Sequence, residues 1–408
     1  MHEQVEFRDG GDFNFILTCQ AALHFLSAPR CRLRPSILYV EKTLHFTVIQ
    51  RYSVSTEGTV AASLESTRAA RMDASTLTPG STTGSALNGL RVTVVENRFL
   101  RLVILPEAGA RIWQITYKPL DADLLWNNPT VAPALYGLHT PYDDVWSGGW
   151  DELFPNDEAG TLNGNLLPDH GELWTGSWHA EPIQKGESAG LHLRFTTPIS
   201  SFLAEKTILL RPERAAFEVR YRFTNQGAEA FPFLWKLHPA FAVSTDHRID
   251  FPPMTVRREL EFPGTLGEAP ASFPWPYASL NGNLLDLRQI PDVSSRALHF
   301  FYGTELAAGW CGITNRANRL ACALRFDKEI LSCCWLFATH GGWRDLNVAV
   351  LEPATGYPYQ MQAMIDGGHA RRLAPGESLE TSVLFSAQEG LTSIGGIEED
   401  GGILPGQD

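Results

Sequence analysis

The chain has 408 residues, 44% hydrophobic and 19% charged, with a formal net charge of −13. Such a composition suits a globular protein with a large core. The acidic balance, with no basic run longer than Arg371-Arg372, argues against nucleic acid or anionic membrane as a partner. The six cysteines are Cys19, Cys31, Cys311, Cys322, Cys333 and Cys334, without a C-x-x-C pair. That spacing disfavours a disulfide scaffold or a zinc ribbon. The opening MHEQVEFRDGGD lacks the positive start of a secretory signal, and the apolar stretch from Phe13 to Leu26 is too short to span a bilayer. These features together point to a soluble, cytoplasmic protein with reduced core thiols.

Residues 1–73 contain strand-like pieces, Ser36 to Val40 and Leu44 to Val48, but no motif. Residues 74–89 are rich in Ser, Thr and Gly and read as a linker. Met72, just before it, reads as a native start, which would make the upstream residues an extension. From Leu90 the pattern has period two. In FEVRYRFT, Phe217, Val219, Tyr221 and Phe223 alternate with Glu218, Arg220, Arg222 and Thr224, the mark of a half-buried antiparallel strand. Further runs are RVTVV, LRLVILP, RIWQITY, LHLRFT, KTILLRP, LACALRF and LETSVLFSA. No stretch of a dozen residues sustains a helical period. The pattern predicts an all-β domain over 90–388, two large sheets packed face to face. Residues 389–408, acidic and Gly-rich, read as a flexible tail.

Three segments set a titratable residue among aromatic, Pro and Gly neighbours: PDHGELW with His170, WKLHPAF with His238, and LEPATGYP with Glu352. Two imidazoles and a carboxylate can all exchange protons near neutral pH. His238 precedes Pro239, which reads as the end of a strand. Glu352 follows the apolar run NVAVL, where a carboxylate needs a partner or a task. Before them lies YDDVWSGGWDELFPNDEAG, residues 142–160, within a stretch holding six of the eleven Trp residues. Aromatic faces stack on sugar rings, and long loops on rigid sheets often hold binding sites. The acids of this loop, Asp143, Asp144, Asp151, Glu152, Asp157 and Glu158, would suit a glycosidase if two of them converged. His139 with Asp143 matches no metal-binding spacing.

Taken in order, these segments resemble the aldose 1-epimerase, or galactose mutarotase-like, superfamily. The resemblance covers roughly Leu90 to Ala387. It rests on DHGELW, on FEVRYRFTNQGAEAFPFLWKLHPAFAV, on LEPATGYP and on the closing strand APGESLETSVLFS. It implies a large antiparallel β-supersandwich that interconverts the α and β anomers of a free aldose without a cofactor. Glu352 would be the general base on the anomeric hydroxyl, His238 the general acid on the ring oxygen, and His170 a contact near the reacting oxygens. A Glu352 carboxylate near His238 would favour the protonated imidazole.

The family's Asp between the second His and the Glu has no assignable counterpart among Asp246, Asp250, Asp286 and Asp292. Arg111, in GARIW, stands roughly where the family has an Arg-containing motif. The candidate site is therefore Glu352 and His238 as the catalytic pair, with His170, Arg111, Trp150, Asp151, Trp174 and Trp235 as substrate contacts and no metal. The alternatives are a non-catalytic carbohydrate-binding protein and a glycoside-cleaving enzyme on a similar sandwich.

Overall fold

The computed structural model describes residues 80–407 and, as backbone, the short strands Phe13–Asn14, Arg51–Val54 and Val60–Ser63. The chain divides into two units, Met1–Asp73 and Ala74–Asp408. The strand pieces expected at 36–40 and 44–48, and the start expected at Met72, lie outside the described residues.

The strands that carry the site are β1 (Arg111–Tyr117), β2 (Trp150–Leu153), β3 (Phe202–Leu210), β4 (Ala216–Asn225) and β5 (Lys236–Ala242). They continue with β6 (Ala297–Thr304), β7 (Cys333–His340), β8 (Asn347–Ala354) and β9 (Ser378–Glu389). A 12-stranded sheet runs from Ser272–Pro274 and Thr255–Arg258 through β6, β7, β8, β5, β2 and β1. It ends with Leu100–Leu105, Leu90–Glu96 and Gly80–Leu87, and Ala122–Asp123 pairs beside β1. An 8-stranded sheet has β3, β4 and β9 at its centre. Every strand pairing within the two sheets is antiparallel, as hydrophobic alternation along each strand favours.

The core lies between the sheets and is dominated by aromatic rings. Phe154 stacks on Phe223 with centroids 4.8 Å apart, Tyr221 packs on Trp235 at 4.9 Å, and Trp150 packs on Phe217 at 5.9 Å. Alternation therefore sends Trp150, Glu152 and Trp235 inward, and Asp151, Leu153, Lys236 and His238 to the opposite face. Against that opposite face pack Trp126, Tyr142, Trp146, Trp174 and Trp343, which build a second small core with Leu153, Ala240, Val348 and Val350 of the sheet.

Three expectations change here. The second half of the expected linker is an edge strand, Gly80–Leu87, paired with Leu90–Glu96. Pro239 does not end β5: its ring faces Trp150 across the β2 pairing, and pairing with β8 resumes at Ala240 opposite Val350. The tail expected to be flexible forms a hairpin, Ile394–Ile397 with Ile403–Pro405. Ile394 and Ile403 are buried against Trp310, Ala321 and Ala323, and Arg325 and Arg214 pair with Glu399 and Asp400. The two isoleucines supply the apolar burial that the Gly-rich composition hides. Among the described residues, no helix is long and apolar enough to cross a membrane.

Candidate active site

Over the outer face of the large sheet lies a cavity of about 250 Å³. Its floor is Lys236 and His238 from β5 and Glu352 from β8, and its walls include His170, Asp157, Asp169, Tyr142, Trp146, Phe300, Phe337 and Trp343. The three segments singled out in the sequence thus meet in one place. His170 comes from a turn whose geometry is special. It adopts φ 59° and is followed by Gly171 at φ 76°, two successive left-handed residues. Its backbone N–H donates to Asp157 O at 2.5 Å, while Glu172 N–H donates to Phe154 O at 2.7 Å. A Cβ on Gly171 would lie 2.1 Å from that same Phe154 oxygen. Gly171→Ala is therefore expected to displace His170 and to destabilise the domain; a thermal melt and a histidine NMR spectrum both check this.

The His170 ring is held from two sides. Its Nδ1 lies 2.8 Å from Asp169 Oδ1, and the ring stacks on Tyr142 at 4.1 Å. With Nδ1 engaged by a carboxylate, Nε2 is the nitrogen left for the cavity. Burial disfavours a charge on this imidazole, yet the Asp157 carboxylate and the Asp169 hydrogen bond outweigh it and raise its pKa above the ordinary imidazole value.

His238 is in the opposite state. Burial is the largest cause, and the positive charges of Lys236, His170 and Arg111 add to it, so its pKa falls well below the ordinary value. The Tyr142 hydroxyl donates to Asp151 Oδ2 at 2.9 Å and sits 3.2 Å from His238 Nδ1. Having donated its only proton to Asp151, that hydroxyl can only accept from His238. The neutral imidazole then carries its proton on Nδ1, and its Nε2 is an acceptor. Asp151 is in turn fixed by Arg111, whose Nε donates to Oδ1 at 2.5 Å and whose Nη1 donates to Ser147 Oγ.

Glu352 is 1% exposed. Burial pushes its carboxyl above the ordinary value, with the Lys236 ammonium pulling the other way. Lys236 Nζ stands 2.6 Å from Glu352 Oε2 and 2.6 Å from Asp157 Oδ2, and 4.2 Å above the ring of Trp335. The expectation that Glu352 would hold His238 protonated is overturned: Lys236 takes up the carboxylate, and its own charge acts against a proton on His238.

Of the expected substrate contacts, only His170 lines the cavity. Trp150 and Trp235 point into the inter-sheet core, because odd and even positions of β2 and the approach to β5 face opposite ways. Arg111, Asp151 and Trp174 sit one layer behind the cavity and support Tyr142. Trp174 packs edge-on against its ring at 5.0 Å and donates from Nε1 to Asp169 O. The Trp rings on the cavity are Trp146 and Trp343. Asp250 and Asp286 serve arginines elsewhere, so besides Glu352 the cavity's carboxylates come from the segments flanking β2: Asp143 before it, and Asp157, Glu158 and Asp169 after it. Lys236 and Tyr142 were missed by sequence reading. The i, i+2 spacing of Lys236 and His238 on one strand was the available signal for the first.

No family model matches the chain. Among solved structures, it resembles a proposed aldose 1-epimerase from Klebsiella pneumoniae (TM-score 0.59, 14% identity, 73% of this chain and 79% of that one). It also resembles a galactose mutarotase-like protein from Clostridium acetobutylicum (TM-score 0.55, 11% identity, 76% and 99%). A galactose mutarotase related enzyme from Lactobacillus acidophilus aligns too (TM-score 0.52, 15% identity, 73% and 97%). The chain has the galactose mutarotase-like fold. Its sequence identity to these mutarotase-like structures is low, and the Asp157–Lys236–Glu352 arrangement is a feature of this chain's own residues.

Proposed function

We propose that the protein interconverts the α and β anomers of a free sugar by opening and reclosing its ring. The observation that carries the reading is one small cavity lined by the buried Glu352 carboxylate and by two imidazoles, His170 and His238, whose surroundings push their proton affinities in opposite directions. Its volume is below the roughly 300–1,000 Å³ typical of drug-sized ligands, which suits a single sugar ring. The aromatic walls offer faces to the ring's C–H surface. Neighbours described as mutarotase-like or as proposed aldose 1-epimerases agree with this chemistry.

In this reading Glu352 takes the proton from the anomeric hydroxyl while His170, through Nε2–H, gives one to the ring oxygen. The bond between C1 and the ring oxygen breaks, leaving the open-chain aldehyde. After rotation about C1–C2 the ring oxygen attacks the other face. His170 then recovers its proton from the attacking hydroxyl, and Glu352 returns one to the carbonyl oxygen. His238, neutral with Nε2 open, accepts a hydrogen bond from a sugar hydroxyl. The acid's role thus passes from His238, where the sequence resemblance put it, to His170, whose surroundings favour the protonated form. A glycosidase pair is disfavoured because Lys236 occupies the space between Asp157 and Glu352.

Polarimetry or saturation-transfer NMR on freshly dissolved α-anomers of several aldoses tests the reading, with buffer as the baseline. Anomer exchange no faster than buffer for every aldose, with sugar binding retained, would make the protein a carbohydrate-binding module. The pH profile tests the roles. The base must be ionised, so activity is expected to fall as pH drops through a Glu352 pKa lying above the usual ~4.3. The acid must be protonated, so activity falls as pH rises through a His170 pKa lying above the usual ~6.5. An alkaline limb below ~6.5 would return the acid's role to His238.

A further inference from the structure

The groups that face Glu352 come from three elements. They are Lys236 on β5, Trp335 directly opposite on β7, and Asp157 and His170 from the loop after β2. Those that face His238 are Lys236 on its own strand, Asp151 across the β2 pairing, Tyr142 and Trp146 from the covering loop, and His170 and Arg111. Lys236 belongs to both sets. It is buried, its ammonium lies over the ring of Trp335, and it makes two ion pairs at 2.6 Å.

We propose that Lys236 is the positioning residue that assigns the protons in this cavity: through its paired contacts with Asp157 and Glu352 it keeps the base ionised and the second histidine uncharged. The physical argument is one of distance and dielectric. A fixed charge within hydrogen-bond reach of a buried carboxylate favours the ionised form strongly, because little solvent screens it. The same charge, two residues along the strand, opposes a second positive charge on His238. Asp157 completes the device. It shares the ammonium with Glu352, so it weakens the hold of Lys236 on Glu352, and it favours the charged form of His170. Lys236 makes no bond to substrate in this account and acts through Glu352 and His238. The inference deepens the anomer-exchange reading and rests on it for its kinetic consequence.

The test compares wild type with Lys236→Met, Lys236→Arg and Asp157→Asn, using two readouts. The first is the pH dependence of kcat/KM for anomer exchange. Lys236→Met is expected to move the acidic limb up by roughly one to three pH units, while Lys236→Arg keeps it near wild type. Asp157→Asn is expected to move that limb down, since Lys236 then serves Glu352 alone. The second readout is the NMR titration of His238 Cε1–H, whose midpoint should rise in Lys236→Met. Opposite shifts from two variants cannot come from loss of structure. A uniform drop in kcat with both limbs and the His238 midpoint unmoved would overturn the proposal. If wild type exchanges no anomers at all, the functional reading fails, and the His238 titration alone still decides for or against Lys236.

Discussion

Glu352→Gln is expected to lower kcat/KM for anomer exchange by roughly 10²- to 10⁴-fold, the usual worth of one general acid–base group. Glutamine keeps the shape of the side chain and its place on β8 opposite Trp335, so the strand pairing stays intact. What it cannot do is take a proton from the anomeric hydroxyl. Lys236 keeps Asp157 as partner at 2.6 Å, so the substitution does not strand a buried cation. Sugar binding, followed by intrinsic Trp fluorescence from Trp146 and Trp343 on the cavity wall, should change far less than the rate. A variant that exchanges anomers as fast as wild type would remove Glu352 from the chemistry. Release of reducing ends from aryl glycosides that survives this substitution, and is lost when a loop acid is replaced, would instead favour glycoside cleavage.

Lys206→Met is expected to destabilise the domain by about 3–5 kcal/mol, the cost of leaving a buried charge without its partner. Lys206 on β3 is fully buried between the sheets. Its Nζ lies 2.8 Å from Glu152 and donates to Ala110 O at 3.1 Å. Glu152, 1% exposed, also accepts from the Tyr221 hydroxyl at 2.6 Å. Burial pushes the Glu152 carboxyl above its ordinary value, and Lys206 is the main influence pulling it back. With Lys206 gone, the carboxylate loses its partner cation, and the polar contact it makes between the sheets goes with it. The double variant Lys206→Met with Glu152→Gln should recover a large part of the loss, because a neutral amide is far cheaper to bury than an unpaired charge. Urea unfolding of both variants checks this; equal destabilisation would mean that shape, rather than charge, dominates at this position.

These two carboxylates show where sequence reading succeeds and where it stops. Glu152 and Asp151 are neighbours in one loop-like, acidic run, and both read as candidate glycosidase acids. β2 turns them to opposite faces, so one clasps the sheets together and the other orients Tyr142. The same ambiguity placed Trp150 and Trp235 among the sugar contacts. Alternation of apolar and polar residues reveals a buried face only when the other face meets water. β5 is buried along almost its whole length on both sides, so the alternation of Lys236 and His238 with Leu237 and Pro239 separates two faces without saying which of them lies between the sheets.

The sequence by itself determined the class of the fold and singled out three titratable residues, His170, His238 and Glu352, that line one cavity. Period two is a local property of strands, and a titratable group among Pro, Gly and Trp stands out whatever the fold does with it. Only the tertiary structure decided that Lys236 and Asp157 join Glu352, that Tyr142 stands between Asp151 and His238, and that the acidic tail packs as a hairpin. It also decided which imidazole holds a proton more readily, His170 rather than His238. Proton affinity depends on burial and on charges a few ångströms away through space, and those neighbours come from segments up to about 200 residues apart in the chain.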